Sequence, residues 1–272
     1  MKLSIIIVHH HTPELLKLCL KSLNKNLSPE NIDHEIIVID SQSTRETQDI
    51  IYEDFPYVKI ITHKENVGYA KGVNKGIINS KGEYILILNP DIIATPNSID
   101  EMLKFMDNNP KVGILGPQLI DFSGIVQRSH FRFYTPLTIL ARRTFFGKIP
   151  IFKKIQEKFL MTDTDLSQIQ YPDWVMGSAM MVSRKAIETV GMMDERFFLY
   201  FEDVDWAKRF WENGYNVLYF PRSKMYHYHQ RKSKVGFDIF DLLIRRETRW
   251  HLKSAIKFFL KHGIRNYQKK LS

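Results

Sequence analysis

The chain has 272 residues, 44% apolar and 12% aromatic, which suffices for one large α/β domain or two small ones. Its single cysteine, Cys19, excludes a disulfide framework and a cysteine-rich metal site and suits a reducing compartment. The net charge of +9 is concentrated from Arg245 onward, where nine Lys or Arg, Arg245 included, face one acid, Glu247, so a uniformly basic nucleic-acid binder is excluded.

In chain order, the apolar run of Met1-Lys2-Leu3-Ser4-Ile5-Ile6-Ile7-Val8 is too short for a signal peptide. No stretch reaches bilayer-spanning length. A cytoplasmic protein is expected, either soluble or peripheral on the inner face of the plasma membrane. Ser4–Val8 reads as a buried strand, after which Thr12 and Pro13 mark a helix start and Leu16, Cys19, Leu20 and Leu23 recur at helical spacing. Glu35–Ile39 and Val58–Ile61 read as strands flanking a short helix over Thr47–Tyr52. Asn66–Ser80 is helical, with Ala70, Val73, Ile77 and Ile78 as its apolar stripe and Gly82 as a stop. Tyr84–Leu88 is apolar on both faces, as a central parallel strand must be.

This alternation predicts an α/β fold with a mostly parallel sheet, whose ligands sit at the carboxyl ends of its strands. Those ends carry His9-His10-His11, Asp40-Ser41 and Asn89-Pro90-Asp91. Further on, Ser98 and Glu101 form a capping-box pattern. Residues 122–172 read as an insertion or a mobile loop over the site, with a helix-like stretch at Phe152–Leu160. Trp174–Val182 reads as a strand and Ser183–Val190 as a short helix. The acids of Phe201-Glu202-Asp203-Val204-Asp205 then open a helix that ends at Asn213-Gly214.

Each chemical motif has a plainer structural reading beside it. Carboxyls following the aromatic run Phe197–Phe201 suit a general base whose pKa is raised by an apolar wall, and equally suit a helix N-terminus. Asp91, presented where Pro90 ends a strand, could hold Mg²⁺ or Mn²⁺ beside diphosphate oxygens, or could simply form a turn. Gly68, Gly72 and Gly76 recur every fourth residue, which serves close helix packing and matches neither a dinucleotide fingerprint nor a P-loop. In a strand, His227 and His229 share a face and are candidate metal ligands, or part of a basic surface strand.

Taken in order, these motifs, with Trp174-Val175-Met176-Gly177-Ser178-Ala179 and Asp194-Glu195-Arg196-Phe197-Phe198, resemble the family 2 glycosyltransferases of the GT-A fold. The resemblance is to their rhamnosyltransferase-like branch and covers about Leu3 to Ser233. It implies an inverting enzyme that moves a sugar from a nucleotide-diphosphate donor (dTDP-rhamnose or a UDP-hexose) to a glycan or lipid-linked acceptor. It further implies that Asp203 is the catalytic base with Glu202 orienting the acceptor, and that Asp91, with His227 and His229, binds Mg²⁺ or Mn²⁺. Asp40 would contact the nucleotide base. His9, His10, Ser41, Asn66, Gly68, Lys71, Asn74, Asn89 and Asp91 would line the donor site, and Trp174 and Gly177 the sugar or acceptor pocket. Asn89 stands where the family often has the first acid of an Asp-x-Asp motif.

Residues 1–240 are thus expected as the catalytic domain and 241–272 as a basic helical tail. The tail's stripe of Leu252, Ile256, Phe258 and Phe259 amid Lys and Arg fits either an anionic membrane surface or a helix packed on the domain. A nucleotidyltransferase would normally show a glycine-rich basic loop where His9–Thr12 stand. A non-catalytic glycan-binding module would have no need of both Asp91 and Asp203.

Overall fold

A computed structural model describes residues 1–27, 32–143, 147, 149–228 and 246–264. The first β-branched run forms β1 (Leu3–His9), and Pro13 opens α1 (Pro13–Asn26), where its missing N–H has no intrahelical role. β2 (His34–Asp40), α2 (Arg45–Asp54), β3 (Lys59–Thr62), α3 (Tyr69–Ile78) and β4 (Tyr84–Leu88) follow. Their strands pair in parallel in the order β3-β2-β1-β4, and all of β4 is buried.

After β4 the sheet becomes mixed. The chain continues through β5 (Ile92–Ala94), α4 (Ser98–Asn108), β6 (Val112–Ile120), β7 (Val126–Gln127) and β8 (His130–Phe131). Next come α5 (Pro136–Arg143), α6 (Pro150–Leu160), β9 (Trp174–Val175), β10 (Ala179–Ser183) and α7 (Arg184–Val190). α8 (Glu202–Glu212), β11 (Asn216–His227) and α9 (Arg246–His262) complete the described elements. The main sheet runs β3-β2-β1-β4-β10-β6-β11-β5, with β7 on β6, while β8 and β9 form a separate pair. β10 lies antiparallel to β4 and β6, and β5 antiparallel to β11, so parallel pairing is confined to β3-β2-β1-β4 and to β6 with β11.

Three local expectations are corrected. The Trp174–Val182 stretch is two strands in two sheets, broken at Met176-Gly177-Ser178. Ser98 does not cap α4: Asn97, left-handed at φ 61, is the N-cap, and the Ser98 hydroxyl donates back to the Thr95 carbonyl at 2.7 Å. Residues 122–172 carry two short strands and two helices, and Phe131 and Phe159 join Trp174 in one aromatic cluster.

The sheet is buried on both faces. Leu3, Ile5 and Ile7 pack towards α1, α2 and α4, and Ile6 towards α3, α7 and α8. Gly72 and Gly76 of α3 lie over Val8 and Ile6, two residues apart on β1. A Cβ at Gly76 would stand 2.3 Å from Ile6 Cγ2, so these glycines set how closely helix meets sheet. α9 belongs to this same core, burying His251, Ser254, Ala255 and Phe258.

Candidate active site

The carboxyl ends of β1, β2 and β4 open into a cleft of about 520 Å³, within the size range of small-molecule sites. Of the residues expected there, His10, Ser41, Asn66, Gly68, Asn89 and Asp91 line it. The Asn66 loop is internally braced. The Ser41 hydroxyl donates to Asn66 Oδ1 and accepts from the Val67 N–H at 2.9 Å, and Gly68 N–H donates to the same Oδ1 at 2.9 Å. Gly68 is left-handed (φ +78), and a Cβ there would meet Phe198 at 2.7 Å, so only glycine fits.

Other expected donor residues lie elsewhere. His9 and Asp40 are each 1% exposed, and His9 Nδ1 pairs with Asp40 Oδ1 at 2.7 Å. The Thr12 N–H donates to His9 Nε2 at 2.9 Å. That bond leaves Nε2 as the acceptor and puts the proton on Nδ1, facing Asp40. The pair braces the β1 turn, while Asp40 Oδ2 is buried without a hydrogen-bond partner among the described residues. Asn74 is also buried: its amide nitrogen donates to the Met193 carbonyl at 2.9 Å and its Oδ1 accepts from Met193 N–H at 3.0 Å, tying α3 to the 193 loop. Lys71 is exposed and outside the cleft lining. Trp174 lies in the aromatic cluster, its indole N–H bonded to the Arg132 carbonyl at 2.9 Å, so it supports the pocket from behind and does not line it.

The base candidate, half-buried Asp203, is joined to the cleft through Gly177 and Tyr69. The chain enters α8 through Tyr200 and Phe201, both left-handed at φ 69, a conformation that costs non-glycine residues on the order of 1–3 kcal/mol each. Asp203 Oδ2 accepts from Gly177 N–H at 3.0 Å and Oδ1 from Val204 N–H at 2.9 Å. Gly177, at the break between β9 and β10, accepts the Tyr69 hydroxyl proton on its carbonyl. Tyr69 lines the cleft. Burial first, then the charges of Glu202, Asp203 and Asp91, raise its phenol well above the ordinary value, which places it among the three carboxyls.

Burial pushes Asp203 up to about 6, against the lowering effect of the Gly177 and Val204 N–H groups. Glu202 is 5% exposed, and its Oε2 has no hydrogen-bond partner among the described residues. Burial and then the Asp203 charge raise it well above the ordinary carboxylate value.

Asp91 and His227 come together at the cleft's other side. His227 Nε2 lies 3.6 Å from Asp91 Oδ2. Gln127 donates from Nε2 to the His227 carbonyl at 3.1 Å, which turns its Oε1 to His227 Nδ1 at 2.8 Å. That arrangement assigns the ring proton to Nδ1 and aims the Nε2 lone pair at Asp91. Asp91 Oδ1 is buried without a hydrogen-bond partner among the described residues. Burial pushes Asp91 up to about 6. An unsatisfied carboxylate oxygen beside an oriented imidazole suits a divalent cation that completes its shell with water and diphosphate oxygens. Among the described residues no cluster of three or more His, Cys, Asp or Glu is placed to hold a metal. His229 lies outside the described residues.

Several site residues carry no motif of their own. Tyr69 and Phe198 lie inside longer motifs without being singled out by them, and Arg246 and Trp250 belong to the tail. Their signal is spatial: Phe198 and Trp250 rings meet at 5.1 Å in the cleft wall. Asp205, two residues after Asp203, is fully buried and grips the tail instead of only supporting the helix start. It pairs with Arg209 at 2.9 Å, Lys261 at 2.6 Å and His262 at 2.7 Å. Burial works to raise its pKa, but these partners outweigh it and lower it.

The family model described as Glycosyl transferase family 2 matches residues 4–190. The N-acetylglucosaminyl-diphospho-decaprenol L-rhamnosyltransferase of Mycobacterium tuberculosis is 29% identical over 71% of this chain, which spans 66% of that relative. The rhamnosyltransferase WbbL of Escherichia coli is 25% identical over 96% of this chain and 93% of its own length. Among solved structures, GalNAc-T7 with UDP, GalNAc and Mn²⁺ superposes with TM-score 0.67 at 16% identity, over 96% of this chain and 48% of its own. The mannosyltransferase PcManGT of Pyrobaculum calidifontis, with GDP-Man and Mn²⁺, gives TM-score 0.62 at 16% identity, over 99% of this chain and 66% of its own. The GT-A fold is shared with both.

Proposed function

The chain belongs to glycosyl transferase family 2, and on that footing we propose that it transfers a sugar from a nucleotide-diphosphate donor to an acceptor hydroxyl with inversion. The observation that carries the reading is the grouping of Asp91, Tyr69 and Asp203 at the carboxyl edge of the sheet. Asp203 accepts the proton of the acceptor hydroxyl as its oxygen bonds the anomeric carbon. The bond from that carbon to the diphosphate oxygen breaks on the opposite face, and the nucleotide leaves with the electron pair. Gly177 N–H and Val204 N–H hold the base in place, and Tyr69 fixes Gly177. Asp91 and His227 would hold a divalent cation, whose chemistry is to offset charge on the diphosphate. Glu202, next to Asp203 in the chain, is the candidate to orient the acceptor.

Rhamnose or another hexose is the proposed sugar, dTDP-rhamnose the first donor to try and UDP-hexoses the next, with a glycan or lipid-linked acceptor in cell-surface polysaccharide synthesis. That the mycobacterial and Escherichia coli relatives are rhamnosyltransferases supports this choice. The test is a nucleotide-sugar panel with and without Mn²⁺ or Mg²⁺, read as release of nucleoside diphosphate. Release from dTDP-rhamnose or a UDP-hexose is expected, and a panel with neither release nor binding removes the reading.

Peripheral attachment to an anionic membrane is the reading for the tail. No described helix is long and apolar enough to cross a membrane. α9 turns Leu252, Ile256 and Leu260 outward, four residues apart, beside exposed Arg249 and Lys253. Replacing those three apolar residues with serine should abolish co-sedimentation with anionic liposomes at unchanged Tm. Undiminished binding of the triple variant sinks the membrane reading.

A further inference from the structure

We infer that α9, expected as a tail, carries a diphosphate-binding residue of the cleft, Arg246, seated beside an aromatic floor made by Trp250 on Phe198. The inference rests on the nucleotide-sugar reading and deepens it. Arg246 and Trp250 line the same cleft as Asp91, Asn66 and His10. Among the described residues that line it, Arg246 alone is a Lys or Arg, while Asp91 and Glu247 are acids. A nucleotide-sugar diphosphate brings two negative charges, so a cleft whose only other fixed charges are acidic needs a cation to receive it.

No ion pair among the described residues engages Arg246, and Glu247, its chain neighbour, does not face it, because adjacent helical residues point apart. A planar guanidinium fork suits two phosphate oxygens at once.

The helix that carries it is fixed to the domain. Ser254 Oγ donates to the Leu199 carbonyl at 3.0 Å and Lys257 Nζ to the Arg196 carbonyl at 2.6 Å. Lys261 pairs with Asp194 at 2.7 Å, and Lys261 and His262 close on Asp205. His251 stands edge-on against Phe201, next to the acids of α8. The segment bearing the base and the segment bearing Arg246 are therefore tied to each other, with Arg246 in the lining of the cleft.

A diphosphate could arrive on the donor nucleotide or on a lipid-diphosphate acceptor, and the test separates the two. Binding of UDP and dTDP, and of uridine and thymidine, is titrated for the wild type, Arg246→Gln and Arg246→Lys, and KM is measured for a lipid-diphosphate acceptor. If the donor is held, Arg246→Gln weakens nucleoside-diphosphate binding by about tenfold or more, leaves nucleoside binding unchanged, and Arg246→Lys recovers part of the loss. If the acceptor is held, nucleoside-diphosphate binding is unchanged and the acceptor KM rises by a similar factor. Arg246 is exposed, so an unchanged Tm is expected and folding does not confuse the outcome. Unchanged diphosphate binding together with unchanged acceptor KM in Arg246→Gln overturns the inference alone. A wild-type protein that binds no nucleoside diphosphate overturns the nucleotide-sugar reading, and the inference with it.

Discussion

Asp203→Asn should lower kcat by roughly 10²–10⁴-fold while nucleoside-diphosphate affinity stays close to wild type. The amide keeps the shape of the carboxyl and can still accept one of the two N–H bonds from Gly177 and Val204, so the local fold is retained. What it cannot do is take a proton from an acceptor hydroxyl. The wild-type pH profile gives an independent reading of the same group. With its pKa pushed up to about 6, Asp203 is carboxylate above that pH and carboxylic acid below it. The basic form is therefore lost as pH falls, and the rate should drop about tenfold per pH unit below about 6. Stopped assays of nucleoside-diphosphate release across pH 4.5 to 8 would show the acid limb, conditions that must be held at one ionic strength. An Asp203→Asn protein with wild-type turnover would refute the assignment of the base.

Asp91→Asn should separate stability from activity in the opposite sense to most core substitutions. The native carboxyl is costly to the fold: one oxygen is buried without a hydrogen-bond partner among the described residues, and burial raises its pKa to about 6. Neutralising it removes a buried charge at pH 7, so Tm should be no lower than wild type and is expected to rise. Activity should fall all the same. Losing a partner one shell away from a metal costs about 10–100-fold, so loss of the ligand itself should cost at least on the order of 10²-fold in kcat/KM. Nucleoside-diphosphate titrations with and without Mn²⁺ check the cause. The wild type should gain affinity on adding the ion and the variant should not. An equal gain in both would mean that Asp91 does not hold the cation.

The sequence was most legible where a local pattern was unbroken. β1 and β4 are uninterrupted apolar runs, and the turn signals around Thr12-Pro13 and Gly82 bound them. β6 and β11 were not marked as strands because each is interrupted. β6 contains Gly113, Gly116 and Pro117, and β11 contains Pro221 at a register shift between Phe220 and Lys224. The break at Gly177 is masked because Trp174 to Val182 is a nearly continuous apolar run that reads through as one strand, although the N–H of Gly177 is available to Asp203 only because pairing stops there.

For the site, strand ends were correctly located, but the facing of a side chain at a strand end was not. His9 and Asp40 are neighbours across β1 and β2, and His9 Nδ1 meets Asp40 Oδ1 inside the fold. His10 and Ser41, one residue further along each strand, are the ones that reach the cleft. A shift of one residue flips a side chain to the other face, which composition alone does not resolve. Arg246 and Trp250 were read as part of a basic tail for a related reason. α9 has two apolar faces, one with Ala255 and Phe258 buried in the domain and one with Leu252, Ile256 and Leu260 outward, and linear spacing does not say which meets the protein.

The wall formed by α9 also sets a time at which the cleft comes into existence during synthesis. One side of it is built by Val8 and His10, the other by Arg246 and Trp250. At ribosomal speeds of about 5–20 residues per second, the second side emerges roughly ten to fifty seconds after the first. A nascent chain in that interval presents a donor edge with no opposing wall. Its grip on a nucleotide diphosphate should be that of an open sheet edge, strengthening only when Lys261 and His262 reach Asp205 and close the last helix down.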